Sequence, residues 1–199
     1  RDERDGGLVV QGLALKYDRG LGGPWGLNLE APVVRVSAAG RSEGGLGDTN
    51  LRLRWVANRD GFAYVAGAEL VAPTASDDLL GRGRWQFNPA IGAVYAVSPT
   101  AFVFAGYKHV RSLGRDAQRT PVNASEPRLL AAVTSRRGWW MLTDARYVHD
   151  WEAGAGAAEV DVETGRMLAT RVAAYARLGT GFGGSDRRWK LNVGTRYLF

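Results

Sequence analysis

Apolar and polar residues alternate along most of this chain in short runs. Near the end, one set of alternate positions carries Trp189, Leu191, Val193, Thr195, Tyr197 and Phe199, and the intervening set carries Lys190, Asn192, Gly194, Arg196 and Leu198. Successive side chains of a β-strand point to opposite faces, so this alternation predicts a strand with one apolar and one charged face. Such a strand requires an apolar medium on one side and water on the other.

The same alternation recurs between turn-rich segments and predicts a protein made of β-strands. The candidate strands are residues 8–18, 25–31, 49–56, 62–70, 84–95, 101–110, 126–135, 139–149, 159–163, 172–182 and 189–199. Pro32 interrupts the second run, where we expect a bulge or a strand end. Residues 19–23 are expected to form a glycine-rich turn, and residues 37–47 a loop.

Long and short connections alternate along much of the chain, which is typical of transmembrane β-barrels in bacterial outer membranes. The long segments 72–83, 113–123 and 183–188 are expected outside the cell, and the short turns in the periplasm. The pattern gives eleven candidate strands, whereas single-chain bacterial barrels have even numbers. We therefore expect an all-β, up-and-down antiparallel barrel of twelve strands, with ten as the alternative, in one domain over residues 1–199.

Aromatic residues lie near the ends of the predicted strands, where barrels carry interfacial girdles. A soluble β-sandwich also explains alternation, but it explains this placement of tryptophans less well. The predicted interface aromatics are Trp25, Trp85, Trp139, Trp151, Trp189, Tyr197 and Phe199.

Charged residues occupy the positions opposite the apolar ones, so we expect them to face the lumen. The glutamates and the aspartate of residues 159–163 form a row on one face, most simply a set of lumenal ion pairs with arginines. Basic residues in the same phase favour either an anion-selective pore or a lumen filled by side chains. The candidate lumen residues are Arg52, Arg54, Glu69, Arg84, Asp144, Arg146, Glu159, Asp161, Glu163, Tyr175, Arg177, Lys190 and Arg196.

Composition narrows the chemistry further. The 199 residues include no cysteine, which excludes disulfides, thiolate metal sites and cysteine nucleophiles. No apolar run is long enough for a transmembrane helix. The net charge is +6, but the arginines are dispersed among apolar residues, so we expect no nucleic-acid partner. The start at Arg1 carries no secretion signal, and we interpret it as a processed or trimmed terminus.

Catalytic and metal-binding constellations are weak in this sequence. His109 and Ser112 lie three residues apart, and His149 adjoins Asp150, so neither pair shares a strand face. Asp77 and Asp78 could contribute to a divalent-cation site, although such a pair is more often a solvated loop tip. We therefore expect no enzyme activity, no metal and no cofactor.

Short motifs give a family resemblance. The Gly45-Leu46-Gly47-Asp48 opening, the Pro73-Thr74 loop followed by residues 79–83, and the ending at residues 193–199 resemble a family of outer-membrane β-barrels assigned as transporters linked to the phenol meta-degradation pathway. The resemblance implies an outer-membrane location and transport of small, often apolar or aromatic compounds. It brings no catalytic residue.

The sequence therefore predicts an outer-membrane channel for passive passage of small molecules. A plugged barrel that serves a structural or partner-binding role in a larger envelope complex is the alternative, followed by a lipid-modifying enzyme. The expected partners are outer-membrane lipid and lipopolysaccharide, the barrel-insertion machinery through the C-terminal strand, and a small-molecule solute.

Overall fold

The computed structural model describes residues 9–38, 41–114, 119–184 and 189–197. Within these residues the regular elements are twelve strands. They are β1 (Val9–Gly22), β2 (Trp25–Ala38), β3 (Arg41–Leu46), β4 (Thr49–Arg59), β5 (Phe62–Ala72), β6 (Gln86–Ser98), β7 (Ala101–Ser112), β8 (Asn123–Thr134), β9 (Trp139–Asp150), β10 (Ala155–Ala169), β11 (Val172–Gly183) and β12 (Lys190–Tyr197).

The strands form one sheet whose order follows the chain. Neighbours run β1-β2-β4-β5-β6-β7-β8-β9-β10-β11-β12, and β3 pairs with β2 beside this path. The pairings of β1 with β2 and of β8 through β12 are antiparallel. No helix in the described part of the chain is long and apolar enough to cross a membrane. The all-β, up-and-down prediction and the expectation of twelve strands are confirmed.

The chain forms two compact units, which we describe separately. The first unit comprises residues 1–56, 66–89 and 110–123, and the second comprises residues 57–65, 90–109 and 124–199. The expectation of a single domain over residues 1–199 stays a prediction.

In the first unit, the expected loop at residues 37–47 contains strand β3. Its pairing runs from Ala38↔Arg41 to Val33↔Leu46, and β4 then continues along β2 as far as Trp25↔Trp55. Extending the β2–β3 register would pair Trp25 with Arg54 instead, so one extra residue is accommodated at the junction of Gly47 and Asp48. The loop prediction was wrong because three of residues 44–47 are glycines, which have no side chain and so do not show an alternation of apolar and polar positions.

Pro32 does not interrupt its strand, which corrects a second expectation. The β1–β2 register is continuous through Ala14↔Pro32. The carbonyl of Pro32 accepts a hydrogen bond from Gly47 N at 2.8 Å, so its missing N–H also points toward the β3–β4 junction. A residue without an N–H is tolerated there because regular pairing is already broken. The irregularity that Pro32 signals lies in the neighbouring chain segment.

Several predicted strands are longer in the structure than the pattern indicated. Strand β1 runs to Gly22, into the expected turn at residues 19–23, and β10 extends over Ala155–Ala169. The turn between β4 and β5 is tight, because both Asp60 (φ 53°) and Gly61 (φ 81°) adopt left-handed conformations. An Asp-Gly pair with positive φ at both positions is typical of a type I′ hairpin turn.

The two sheet faces have opposite characters, and the arrangement is inverted relative to a soluble protein. In β10, Asp161 and Glu163 are 7% and 2% exposed, while Val162 between them is 42% exposed. In β6, Asn88 is 2% exposed and Ile91, on the other face, is 66% exposed. A surface of this extent with exposed apolar side chains on successive strands requires an apolar surrounding. We call the buried side the polar face and the exposed side the apolar face.

Candidate functional site

In the second unit, Arg177 is the centre of an ion-pair network on the polar face. Its Nη2 donates to Asp144 Oδ2 at 2.6 Å and to Asp161 Oδ2 at 2.8 Å. Arg128 binds the same aspartate through Nε and Nη2, at 2.7 and 2.6 Å. Lys190 Nζ lies 3.6 Å from Asp161 Oδ2. Each of the strands β8 to β12 contributes one residue to these contacts.

A second part of this network surrounds Glu163. Its carboxylate accepts from Arg196 Nη2 at 2.9 Å and from the indole Nε1 of Trp140 at 3.0 Å. The Arg196 guanidinium lies 4.2 Å from the ring centroid of Tyr175 and 5.7 Å from that of Trp140. These distances are typical of cation–π contacts. An aromatic pocket therefore fixes Arg196 beside a fully buried carboxylate.

Two further ion pairs extend the polar face of the second unit. Arg146 pairs with Glu159 on the adjacent strand, and Lys108 Nζ lies 2.9 Å from Glu126 Oε2. Every member of the predicted acidic row at residues 159–163 thus contacts a basic side chain. The proposed pairing of this row with arginines agrees with these contacts.

The polar face of the first unit holds its own network. Glu69 pairs with Arg52 and accepts from Asn88 Nδ2 at 2.9 Å. Arg52 Nη1 also donates to Asn28 Oδ1 at 3.5 Å, and Asn28 Nδ2 donates to Asp18 at 2.8 Å. Arg54 Nη1 donates to Asp18 Oδ1 at 3.2 Å. Here Asn28 on β2 and Asn88 on β6 link charged groups on three strands, β1, β4 and β5.

Arg84 occupies a different position from the other predicted lumen residues. It is 5% exposed and lies just before β6, where its guanidinium donates to the backbone carbonyl of Arg119. The side chain thus binds one connecting loop to another. Arg84 is in phase with the buried Gln86 and Asn88, but its contact is with a loop and not with a neighbouring strand.

Carboxylates and cations of these networks differ in exposure. The Glu69, Asp144, Asp161 and Glu163 side chains are 8%, 6%, 10% and 3% exposed. The side chains of Arg52, Arg128, Arg146 and Arg196 are 40–45% exposed. Arginine is long, so its head group extends beyond the shorter acid that it covers. Around these four carboxylates, solvent therefore meets cationic groups first.

Sequence reasoning missed several members of the networks. Asn28, Asn88, Arg128 and Trp140 were not among the predicted lumen residues, although Asn88 shares the phase of Arg84 and Trp140 shares that of Asp144. The partners on neighbouring strands could not be predicted, because only the strand register shows that Arg128 lies opposite Arg146.

The predicted interface aromatics are exposed at or near strand ends. Trp25, Trp85, Trp139, Trp151 and Trp189 are 47%, 48%, 47%, 58% and 72% exposed. Trp25 and Trp139 begin β2 and β9, Trp151 follows β9, and Trp85 and Trp189 precede β6 and β12. Arg166 lies over the Trp139 ring at 5.1 Å. Phe199 and the side chain of Tyr197 lie outside the described residues.

His149 lies beside a serine of the neighbouring strand, which the sequence did not predict. Within the strand, His149 has no serine neighbour on its face, but Ser125 lies directly opposite it across the β8–β9 pairing. Ser125 Oγ contacts Tyr107 Oη at 2.8 Å and Trp151 Nε1 at 2.9 Å, while the His149 ring packs edge-on against Trp151 at 4.4 Å. These contacts form an aromatic cluster at the end of the apolar face. The absence of enzyme activity stays a prediction.

Asp77 and Asp78 are bound by arginines. Asp77 accepts from Arg41 Nη2 at 3.2 Å, and Asp78 pairs with Arg119. Among the described residues, no three histidine, aspartate or glutamate side chains are grouped so that they could hold a metal ion. Asp77 therefore connects its loop to β3, whereas Asp78, 76% exposed, is a solvated loop residue that pairs with Arg119.

Comparisons with known proteins agree with this geometry. The model of a family described as "Putative MetA-pathway of phenol degradation" matches residues 7–122. A search of curated proteins found no match.

Solved structures with a similar fold include three porins. The NanC porin has 9% sequence identity and a TM-score of 0.74, and the match covers 98% of this chain and 97% of the porin chain. The KdgM porin is 12% identical with a TM-score of 0.70, at 96% and 98% coverage. An anion-selective porin from Comamonas acidovorans is 11% identical with a TM-score of 0.50, at 94% and 59% coverage.

These likenesses identify the fold as the β-barrel of outer-membrane porins. The apolar face supplies the lipid-facing surface that such a barrel requires, so the chain is placed in a bacterial outer membrane. The chain belongs to the family described as "Putative MetA-pathway of phenol degradation", as the sequence motifs indicated.

Proposed function

We propose that this protein is an outer-membrane channel for passive passage of small molecules, with a preference for anions. In this proposal the polar face lines the lumen and the apolar face contacts outer-membrane lipid, including lipopolysaccharide. One observation carries the anion preference: Glu69, Asp144 and Glu163 are buried beside arginines whose side chains are nearly half exposed. A pore lined by such groups attracts anions and repels cations.

Aromatic solutes are the finer part of the proposal. The family's description refers to phenol degradation. The polar face of the second unit presents Arg196 between Tyr175 and Trp140, at 4.2 and 5.7 Å from their ring centroids. The Arg196 side chain is 45% exposed, so its cation, with aromatic rings beside it, is accessible to a planar aromatic solute. Small aromatic carboxylates, which combine a ring with a negative charge, fit this environment best.

The proposal is tested by the conductance of the refolded protein in a planar bilayer. Discrete current steps in a potassium chloride gradient, with a reversal potential displaced toward that of chloride, are expected. In proteoliposomes, benzoate should enter faster than benzylamine, which has a similar size and the opposite charge. A correctly inserted barrel without current steps would instead favour a plugged structural or partner-binding role.

The same bilayer measurement tests the residues that produce the selectivity. Arg128→Gln removes a half-exposed cation while Asp144 keeps its bond to Arg177. We expect the reversal potential to move toward zero because one attractive charge is lost from the lumen. Arg59→Gln is the matched control, since Arg59 is 81% exposed at the β4–β5 turn and pairs with Asp60. An equal displacement in both variants would contradict the lumenal assignment.

The remaining partners belong to this proposal as well. The alternating strand β12 is the feature that the barrel-insertion machinery would recognise. No nucleic-acid partner and no cofactor are part of the proposed function.

A further inference from the structure

The loop between β5 and β6, residues 73–85, lies on the polar face of the first unit. Val34 pairs with Gly45 across β2 and β3, and Val34 shares the strand phase of Asn28, a polar-face residue. A side chain built on Gly45 would therefore point to the polar face, where it would meet Ser76 and Leu80. Leu80 is 7% exposed and Val36 is 8% exposed. The loop thus packs inward on the sheet.

One carboxylate organises this loop. Asp48 Oδ1 accepts from Ala75 N at 3.2 Å, and Asp48 Oδ2 accepts from Arg82 N at 2.6 Å and from Gly83 N at 3.3 Å. These N–H groups come from both ends of the loop. Charge-assisted hydrogen bonds to backbone N–H groups are among the stronger neutral–ion contacts in proteins. Asp48 therefore closes the loop on itself and ties it to the β3–β4 junction.

Thr74 and Ser76 add a second attachment beside Asp48. Thr74 Oγ1 donates to the Gly47 carbonyl at 2.9 Å and accepts from Thr49 N at 2.9 Å. Ser76 N donates to the Leu46 carbonyl at 2.9 Å. The one-residue irregularity at the junction of Gly47 and Asp48 is what turns the aspartate toward the loop. The sequence motifs at residues 45–48 and 73–74 are thus the two halves of one contact.

Glycines at positions 47 and 81 allow loop 73–85 to lie close to Asp48 and the β3–β4 junction. A methyl group added to Gly81 would lie 2.5 Å from Asp48 Oδ1, and one added to Gly47 would lie 3.0 Å from Pro32 Cγ. Any larger side chain at either position would displace the loop. Ion pairs of Asp77 with Arg41 and of Asp78 with Arg119 hold the outer side of the same loop.

We propose that Asp48 is a positioning residue that holds loop 73–85 inside the channel entrance as a constriction. This proposal rests on the proposed channel function, because only then is the polar face a lumen. In barrels of this class the long loops lie at the extracellular side, so the constriction stands where solute enters. Release of Asp48 lets the loop leave the sheet, which widens the entrance.

Asp48→Asn tests the proposal, because it replaces one carboxylate oxygen by an NH2 group and keeps the size of the side chain. The amide has only one acceptor oxygen, so it cannot accept from Ala75 N at one end of the loop and from Arg82 N and Gly83 N at the other. In either orientation its NH2 group faces N–H donors, and we expect a several-fold larger unitary conductance with more frequent current fluctuations. The bond after Arg82 should also become sensitive to trypsin in the folded barrel, with the cleavage site identified by mass. Asp60→Asn, in the exposed β4–β5 turn, is the matched control and should behave as the wild type.

A disulfide provides the rescue. The chain has no cysteine, and a Cβ built on Gly45 lies 3.3 Å from Ser76 Cβ, close to the roughly 3.5–4.5 Å of disulfides. In Gly45→Cys/Ser76→Cys/Asp48→Asn, oxidation should restore the wild-type conductance and the protection of Arg82, and reduction should remove both. A merely destabilising substitution would not respond to the redox state in this way.

The outcomes separate this proposal from the channel proposal. A wild-type barrel that never conducts overturns the channel function, whereas proteolysis still reports whether Asp48 holds the loop. A conducting wild type with an Asp48→Asn variant of unchanged conductance and unchanged trypsin resistance overturns the constriction. Increased trypsin cleavage without any change in conductance overturns it as well, since the loop would then lie outside the path of ions.

Discussion

Arg177→Met is expected to lower the free energy of unfolding by about 3–5 kcal/mol, the cost of breaking a buried ion pair from one side. Arg177 binds Asp144 and Asp161 at 2.6 and 2.8 Å and lies 4.0 Å from Glu163. Methionine fills a similar volume but leaves these carboxylates with fewer partners at exposures of 3–10%. Urea unfolding in lipid vesicles, followed by tryptophan fluorescence, measures the change.

The matched control for this variant is Arg54→Met. Arg54 also lies on the polar face and pairs with one carboxylate, but the side chains of Arg54 and Asp18 are 46% and 55% exposed. Exposed ion pairs contribute about 0–1 kcal/mol, so the control should remain close to the wild type. Equal losses in the two variants would show that the Arg177 network is no more than a set of solvated contacts.

Leu178→Arg is expected to destabilise the inserted barrel by about 2–4 kcal/mol, the cost of a cation near the bilayer midplane on the lipid face. Leu178 lies in the middle of β11 and pairs with Val162. Leu168, one residue before the end of β10, is equally exposed, at 63% against 60%. Leu168→Arg should cost only about 0–1 kcal/mol because its cation reaches the interface.

The comparison of these two leucine variants shows whether the apolar face contacts lipid or water. The same vesicle unfolding titration gives both free energies. If the exposed face met water, both substitutions would change the free energy of unfolding by less than about 0.5 kcal/mol. Similar small effects at both positions would therefore exclude a membrane-spanning sheet.

The alternation of side chains was sufficient to predict the fold and most of the charged residues of the polar face. It predicted Asp144, Asp161, Glu163 and Arg177 on one side, because strand phase depends on local sequence alone. It failed for β3, where glycines carry no side-chain signal, and for Pro32, whose irregularity lies in the neighbouring segment.

Contacts between distant residues were beyond sequence reasoning. The bonds of Asp48 to Ala75 and Arg82 require the path of a loop, and the juxtaposition of Ser125 and His149 requires the register between β8 and β9. The motif at residues 45–48 was recognised, but its role became visible only once the loop that it binds was placed. Local pattern specifies faces, whereas register and loop path specify partners.

The ion pairs of the second unit also connect strands that are not neighbours. Arg177 on β11 binds Asp144 on β9, across β10, and Arg196 on β12 binds Glu163 on β10. Such bonds form only after the intervening strand has been added, so they appear late in assembly. Interactions absent from the folding transition state act mainly on the rate of unfolding. We therefore expect Arg177 and Arg196 to lower the unfolding rate of the barrel. In stopped-flow measurements, Arg177→Met should accelerate unfolding and leave the folding rate nearly unchanged.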